Sequence, residues 1–400
     1  MPWTLAVVLT ILAPLAAINY FVGRKIFRAL AQVTSWDRTR LRLLCIIVHV
    51  FFNLLPVAFF VDFLVSGRAS AADFSGDIRI VDYLFSYPFW LALVIILQLF
   101  VIFLLVDAIE WSILRYLRAA DRWWKCHSSS VLIVVTCIVA VYSAATVIID
   151  TSTVRVVEHK VDLPAGFQSL RGLRIAEISD VQGDGRTNYQ DLRAYVSKVN
   201  SLHPDIVVFA GDLVTSGTRY IDSTAKILGL LTSNYGTFAA FGDHDIWSGK
   251  GLILKALKEN GVSVLDDTTV TLSIDSKQIA LSGVTFTYPE QPSEARLDNL
   301  LPKGMAGYRI MLVHQPAESL VRFAQRCGYR LFLAGHTHGG GIGFGVPGVL
   351  VVAPASLETR YVSGLYRAGD MLISVTNGLG LTLAPIRFHA PAEIVMLELY

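Results

Sequence analysis

The chain has 400 residues, enough for two or three domains. It is 53% hydrophobic and only 16% charged, whereas an average soluble domain is about 25% charged, so part of it belongs in lipid. A net charge of +2 with no Lys/Arg run gives no ground to expect nucleic acid, and four cysteines without a CxxC pair exclude a zinc knuckle or redox pair.

Four long apolar runs open the chain: Leu5–Val22, Leu43–Val61, Tyr87–Val106 and Val131–Ile149. Each has about the 18–20 residues that cross a hydrocarbon core as a helix. Leu5–Val22 lacks a basic start and a small-residue cleavage site, so it reads as a retained helix and not a signal peptide. The connection after the first run holds Arg24, Lys25, Arg28, Arg38, Arg40 and Arg42; the third holds Arg115, Arg118, Arg122 and Lys125; the second holds only Arg68 and Arg79. The bias of Lys and Arg places the first and third connections in the cytoplasm, and residues 151–400 outside it. His49, Asn53, Asp62 and Asp107 fall in or beside the runs. Asp62 and Asp107 lie near span ends, and His49 and Asn53, one helical turn apart, are expected to bond each other or another helix.

Residues 1–150 thus read as a four-helix transmembrane region and 151–400 as a second domain. Thr151–Leu173 leads into a first strand in "TVRVVEHKVDL". Short β-branched runs then alternate with helix-like stretches at Tyr189–Leu202, Asp222–Leu231 and Gly251–Asn260, the pattern of an α/β domain.

The ends of the apolar runs carry the chemistry. "LRIAEISD" ends at Asp180, "DIVVFAGD" at Asp212, "TFAAFGD" at Asp243, "YRIMLVH" at His314, and "YRLFLAGHTH" at His336 and His338. Ligands of α/β sheets bind outside the carboxyl ends of strands, so five neighbouring strands would aim these groups into one crevice. Glycines at 211, 242 and 335 would let the chain turn there. Three carboxylates and three imidazoles gathered without a cation would repel one another or stay unsatisfied. Mixed Asp and His donors suit divalent Mn, Fe or Zn, and a shared carboxylate suits a metal pair.

The ordered set "SD", "GDLV", "GDHD", "VHQP" and "GHTHGG" resembles the calcineurin-like metallophosphoesterases, in their membrane-associated bacterial phosphodiesterase branch. The resemblance runs over nearly all of 153–400, including "LKENGVSVLDD" and the tail "TNGLGLTLAPIRFHAPAEIVMLEL". It implies a two-sheet α/β/β/α sandwich, two metal ions and phosphoester hydrolysis by metal-activated water. On that pattern Asp180 and His338 hold the first metal, Asp212 bridges, His314 and His336 hold the second, and His244 contacts the substrate phosphate and leaving oxygen. Asp243 stands where the family has Asn, and Asp245 is expected to cap the helix that follows.

The chain departs from the pattern at three places. Gln182 stands where the family has a His ligand, Asp243 replaces a neutral ligand by a charged one, and Thr215 replaces an Asp that pairs with the phosphate-contacting His. Three carboxylates leave two divalent ions less net positive charge than the usual set, which favours phosphodiesters over phosphomonoesters and Mn or Mg over Fe or Zn. The expected function is a membrane-anchored phosphodiesterase acting on a lipid-linked or envelope phosphoester. The rival is a membrane module that binds metal or phospholigand without hydrolysis, to which Gln182 and Thr215 lend weight. "GGGIGFGVPG" is expected to be a rim loop and not a phosphate-cradling P-loop, since no Lys-Ser/Thr follows.

Overall fold

The computed structural model describes residues 3–66, 80, 82–112, 116–274, 277–300, 307–346, 350–381 and 384–400, with side chains in the apolar helices described from residue 14 onward. Arg68, Arg79 and Arg115, and the side chains of Asp62 and Arg118, lie outside what is described. Two compact units part at Ile148/Ile149.

The first unit is helical: α1 (Trp3–Val33), α2 (Arg38–Ser66), α3 (Tyr87–Ser112) and most of α4 (Arg118–Ser152). Among the described residues, three helices are long and apolar enough to cross a membrane, within 38–58, 82–112 and 119–152. The helices outrun the apolar segments because a helix does not end where hydropathy falls. Arg24, Lys25 and Arg28 lie on α1, Arg38, Arg40 and Arg42 on α2, and Arg122 and Lys125 on α4, so they are helix extensions and not loop residues. Lys25 pairs with Asp107 and lies over the Phe21 and Phe103 rings. Asn53 bonds the His49 carbonyl at 2.7 Å. This is a turn-to-turn contact within α2, not a link between the two side chains.

The second unit begins almost without a linker. Only Thr153 separates α4 from β1 (Val154–Val161), and then follow β2 (Arg174–Ile178), α5 (Tyr189–Ser201), β3 (Ile206–Phe209), α6 (Ile221–Leu228), β4 (Thr237–Ala239), α7 (Asp243–Glu259) and β5 (Ser263–Val264). The second half adds β6 (Thr268–Ile274), β7 (Lys277–Val284), α8 (Glu294–Asp298), β8 (Tyr308–Val313), α9 (Glu318–Arg326), β9 (Leu331–Ala334), β10 (Phe344–Val346), β11 (Leu350–Val352), β12 (Gly364–Ala368), β13 (Met371–Val375) and β14 (Ala392–Leu399). One sheet runs β1-β14-β2-β3-β4-β5 and the other β12-β13-β9-β8-β7-β6. Both are parallel at their centres, β2-β3-β4 and β7-β8-β9.

Fully buried parallel strands read as continuous apolar runs, and "IVVF" and "LFLA" do so. One face of each sheet meets the other through Ile175, Val208, Phe238, Leu281, Leu312 and Leu333. The outer face of the first sheet packs on α5, α6 and α7 through Val196, Leu228 and Leu257, and that of the second on α9 through Leu320 and Val321. The result is four layers, helix–sheet–sheet–helix. The five strands ending in candidate ligands are therefore not neighbours in one sheet: β2, β3 and β4 belong to the first and β8 and β9 to the second. The buried Glu177 of β2 ties the two together, accepting from the Ala334 N–H (3.0 Å) and the Ser374 hydroxyl (2.5 Å), and burial pushes its carboxyl well up.

Candidate metal centre

Parallel strands leave their sheets in the same sense, so their carboxyl ends share an edge, and the two facing sheets bring two such edges together. Asp180, Gln182, Asp212, Asp243, His314, His336 and His338 all follow strands there. Asp180, Gln182 and His314 are fully buried; Asp212, Asp243 and His338 nearly so. One donor atom each from Asp180, Asp212 and His314 lie within 4.8 Å of one another, as do those of Asp243, His314 and His336. His314 belongs to both groups.

His314 Nδ1 faces the Ala210 carbonyl at 2.7 Å. A carbonyl only accepts, so the proton is on Nδ1 and the lone pair of Nε2 points into the site. That Nε2 lies 3.4 Å from Asp212 Oδ2 and 3.0 Å from Asp243 Oδ1. His336 Nδ1 is 3.2 Å from the same Asp243 oxygen. On the other side, His338 Nε2 is 3.3 Å from Asp180 Oδ1 and 3.2 Å from Gln182 Nε2. Gln182 Nε2 also donates to Asp212 Oδ2 at 3.3 Å. A half-turn of this amide would present its oxygen at the same place.

The backbone is bent for the purpose. Asp180 (φ 51°), Gln182 (43°), Asp212 (63°), His336 (70°) and His338 (49°) all adopt the left-handed region. Each such non-glycine residue costs about 1 kcal/mol or more, and such residues cluster where side chains must be aimed. Of the three glycines, Gly211 (φ 93°) turns the chain, but Gly242 is extended and is there for clearance: a Cβ would lie 2.0 Å from Asp212 Oδ1.

The donor set fits a cation pair. Asp180 Oδ1, Gln182 Oε1, Asp243 Oδ1 and His338 Nδ1 are buried and take part in no hydrogen bond among the described residues. Buried orphans of this kind are costly unless a ligand completes them. Burial pushes the Asp180 carboxyl up, with the Asp212 charge adding to it. Burial also opposes ionisation of Asp243, but the facing His314 and His336 rings outweigh it and hold the carboxyl far below its usual range. Burial and then Arg387 push His338 well down, leaving a neutral imidazole as a metal ligand requires. His336 moves the other way, to about 9: burial is outweighed by its contacts to Asp243 and Glu358.

His244 stands apart from both groups. Its N–H donates to Asp212 Oδ1 (3.0 Å), and its Nδ1 donates to the Thr215 carbonyl. The Thr215 hydroxyl turns away to Asp184 Oδ2 at 2.7 Å. No hydrogen bond joins Asp245 to the imidazole among the described residues. It sits in the first turn of α7 and accepts the N–H groups of Gly242 (2.9 Å), Asp212 (2.9 Å) and Leu213 (2.8 Å). It is thus both a helix cap and a clamp on the Asp212 loop, and burial with the Asp212 charge pushes it up to about 7.

Four further residues shape the site. Glu358 Oε2 is 3.3 Å from His336 Nε2, the Tyr288 hydroxyl is 3.4 Å from the same atom, and Trp247 stacks parallel to Tyr288 at 6.4 Å and lies edge-on to His244 at 5.3 Å. Tyr288 leaves β7 at the edge the ligands use, so the strand-end reading that found His314 extends to it. Glu358 has no such signal. The fourth is Arg387, fully buried, whose guanidinium donates to the carbonyls of Asn377 (3.0 Å), Ala390 (2.8 Å), Gly378 (3.1 Å) and Gly380. Gly380 N–H in turn bonds the Asp180 carbonyl at 2.6 Å. Arg387→Met should destabilise the protein by about 3 kcal/mol or more, since several buried carbonyls lose their donor at about 1–3 kcal/mol each; thermal denaturation checks this.

"GGGIGFGVPG" is not a plain loop. Its start makes a short 3₁₀ turn at 338–340 and its continuation forms β10, paired antiparallel with β11; residues 347–349 lie outside the described set.

These features define a metal-dependent phosphoesterase. Residues 173–340 match the calcineurin-like phosphoesterase family, and the chain carries a calcineurin-like metallophosphoesterase domain. It is 29% identical over 259 residues to the uncharacterized metallophosphoesterase YkuE of Bacillus subtilis, covering 63% of this chain and 87% of that protein. It is 28% identical over 281 residues to a zebrafish transmembrane protein with metallophosphoesterase domain, covering 67% of this chain and 61% of that one. The uncharacterized metallophosphoesterase Cj0846 of Campylobacter jejuni is 31% identical over 233 residues, 57% of this chain and 59% of its own. The chain therefore spans about six-tenths of the length of these last two relatives.

Proposed function

We propose that the protein is a membrane-anchored phosphodiesterase that holds two divalent cations and acts on a lipid-linked or envelope phosphoester. The observation that carries this is the pair of Asp/His groups meeting at His314. Asp180, Gln182 and His338 would hold one ion, Asp243, His314 and His336 the other, with Asp212 between them. When bound, the ions supply Lewis acidity and lower the pKa of water near phosphorus.

The chain's own residues do the rest. With Nδ1 committed to the Thr215 carbonyl, His244 meets the substrate through Nε2, which carries a proton to the leaving oxygen only as imidazolium. Burial lowers the imidazole pKa, but the Asp212 and Asp243 charges outweigh it and the net movement is upward. No direct hydrogen bond links the His244 imidazole to a carboxylate among the described residues, so the ring is held by shape and the Thr215 carbonyl dipole.

Three carboxylates among the candidate ligands leave less net positive charge to attract a dianion, which favours diesters, and favours Mn or Mg over Fe or Zn. In this reading helix α1 serves as a fourth span, and the bias of basic residues flanking the helices supports an extracytoplasmic side for residues 151–400. Substrate and membrane lipid are the expected partners.

The test uses the full chain in lipid nanodiscs, loaded separately with Mn, Mg, Zn and Fe. Two metal ions per chain are expected, with a p-nitrophenyl phosphodiester turned over faster than the matched monoester. Equal rates on the two esters would remove the diester reading. Stoichiometric metal without turnover of either would select a binding module, the reading that the amide of Gln182 and the missing acid beside His244 favour.

A further inference from the structure

Four exposed apolar side chains leave the sheets at the edge that carries the candidate ligands. Trp247 (59% exposed) lies in α7 just after β4, and Tyr288 (52%) follows β7. Val352 (59%) and Leu357 (93%) lie on the excursion between β9 and β12, next to Glu358. Trp247 and Tyr288 stack on each other and reach His244 and His336. A leucine 93% exposed beside a site is a poor choice for water.

The chain enters this unit at the same edge. β14 runs antiparallel to β2, with Val395 opposite Glu177, so its first residue, Ala392, lies toward Asp180. β1 is parallel to β14, with Val154 opposite Ala392. The chain therefore enters this unit at the ligand edge, not the far one. The last turn of α4 is fastened there: Asp150 accepts the His389 N–H at 2.8 Å and Thr151 the Arg387 N–H at 2.9 Å.

We propose that the rim formed by Trp247, Tyr288, Val352 and Leu357 docks on the bilayer interface, so that the site takes a phosphoester whose apolar part stays in lipid. This rests on the phosphodiesterase reading for the chemistry but not for the docking. The bilayer is the occupant because residues 119–152, long and apolar enough to cross it, lead in sequence directly into β1, whose first residue lies at this edge. Trp and Tyr suit the headgroup level, where ring and polar tip meet different solvents.

The experiment has two arms, both on the full chain in nanodiscs. In the first, a solvent-sensitive fluorophore is placed at Leu357→Cys or, as control, at Asp370→Cys in the β12–β13 turn at the opposite edge, with Cys45, Cys126, Cys137 and Cys327 changed to Ser. Shallowly brominated lipids should quench the dye at 357 and spare the one at 370. Equal quenching at both positions, or none at 357, overturns the docking whether or not the protein is active.

The second arm compares methyl p-nitrophenyl phosphate in solution with hexadecyl p-nitrophenyl phosphate in the nanodisc. Leu357→Ser with Val352→Ser should slow the hexadecyl ester about tenfold, as expected for lost apolar contact, and leave the methyl ester unchanged. Equal effects on both esters, or none, count against an interfacial substrate. Failure of the wild type on both esters, with quenching at 357, strikes the phosphodiesterase reading and leaves the docking standing.

Discussion

Asp212→Asn should lower phosphodiester turnover roughly 10³-fold and drop the bound metal below two ions per chain. Groups that merely orient metal ligands cost roughly 10–100-fold when changed, and Asp212 lies between the two donor groups. Its Oδ2 is 3.4 Å from His314 Nε2 and 3.3 Å from Gln182 Nε2, and its Oδ1 holds the His244 N–H. Asparagine keeps the shape and the acceptor for His244 but removes the charge. The metal-free variant should therefore unfold no lower than the metal-free wild type, because Asp180 and Asp243 lose a like-charged neighbour. Elemental analysis, turnover and a melting curve on the same samples check the three parts together. Full metal content with full activity would mean that Asp212 does not join the two groups.

His244→Ala should lower turnover by about 10²–10⁴-fold, the range for a positioned acid–base group, and leave metal content unchanged. The loss should be smaller for a p-nitrophenolate leaving group, which departs without a proton, than for an alkyl alkoxide. The side chain is anchored by one carbonyl and one aromatic edge, so Trp247→Ala should show a weaker copy of the same leaving-group dependence. An equal loss on both esters would assign His244 to phosphate binding alone.

The candidate ligands were legible because each ends a strand. An apolar run that stops at Asp or His is visible in one dimension, and parallel strands carry such ends to one edge. What the pattern does not hold is which sheet a strand joins: "LRIAEISD" and "YRIMLVH" look alike, yet β2 and β8 lie in different sheets, and the crevice lies between the two. Glu358 and Arg387 were invisible for a related reason. Both sit in irregular segments, where no period distinguishes an inward side chain from an outward one, and a buried arginine whose guanidinium bonds carbonyls among the described residues has no acidic partner in the sequence to betray it. The helices were located by hydropathy but not measured by it. α1 runs 31 residues, past Arg24, Lys25 and Arg28, because those residues favour helix as much as leucine does. α7 likewise begins at Asp243, eight residues before Gly251, with Gly249 (φ 123°) bending it on the way.

The fastening of Asp150 and Thr151 to the segment behind Asp180 bears on how the catalytic half can be excised. A soluble fragment starting at Val154 would keep every candidate ligand yet strip the acceptors from the His389 and Arg387 amides, loosening the arginine that braces Gly378 and Gly380. Cutting before Ile149 retains the brace. Two truncations only a handful of residues apart should then differ in melting temperature and in how firmly they retain manganese during dialysis.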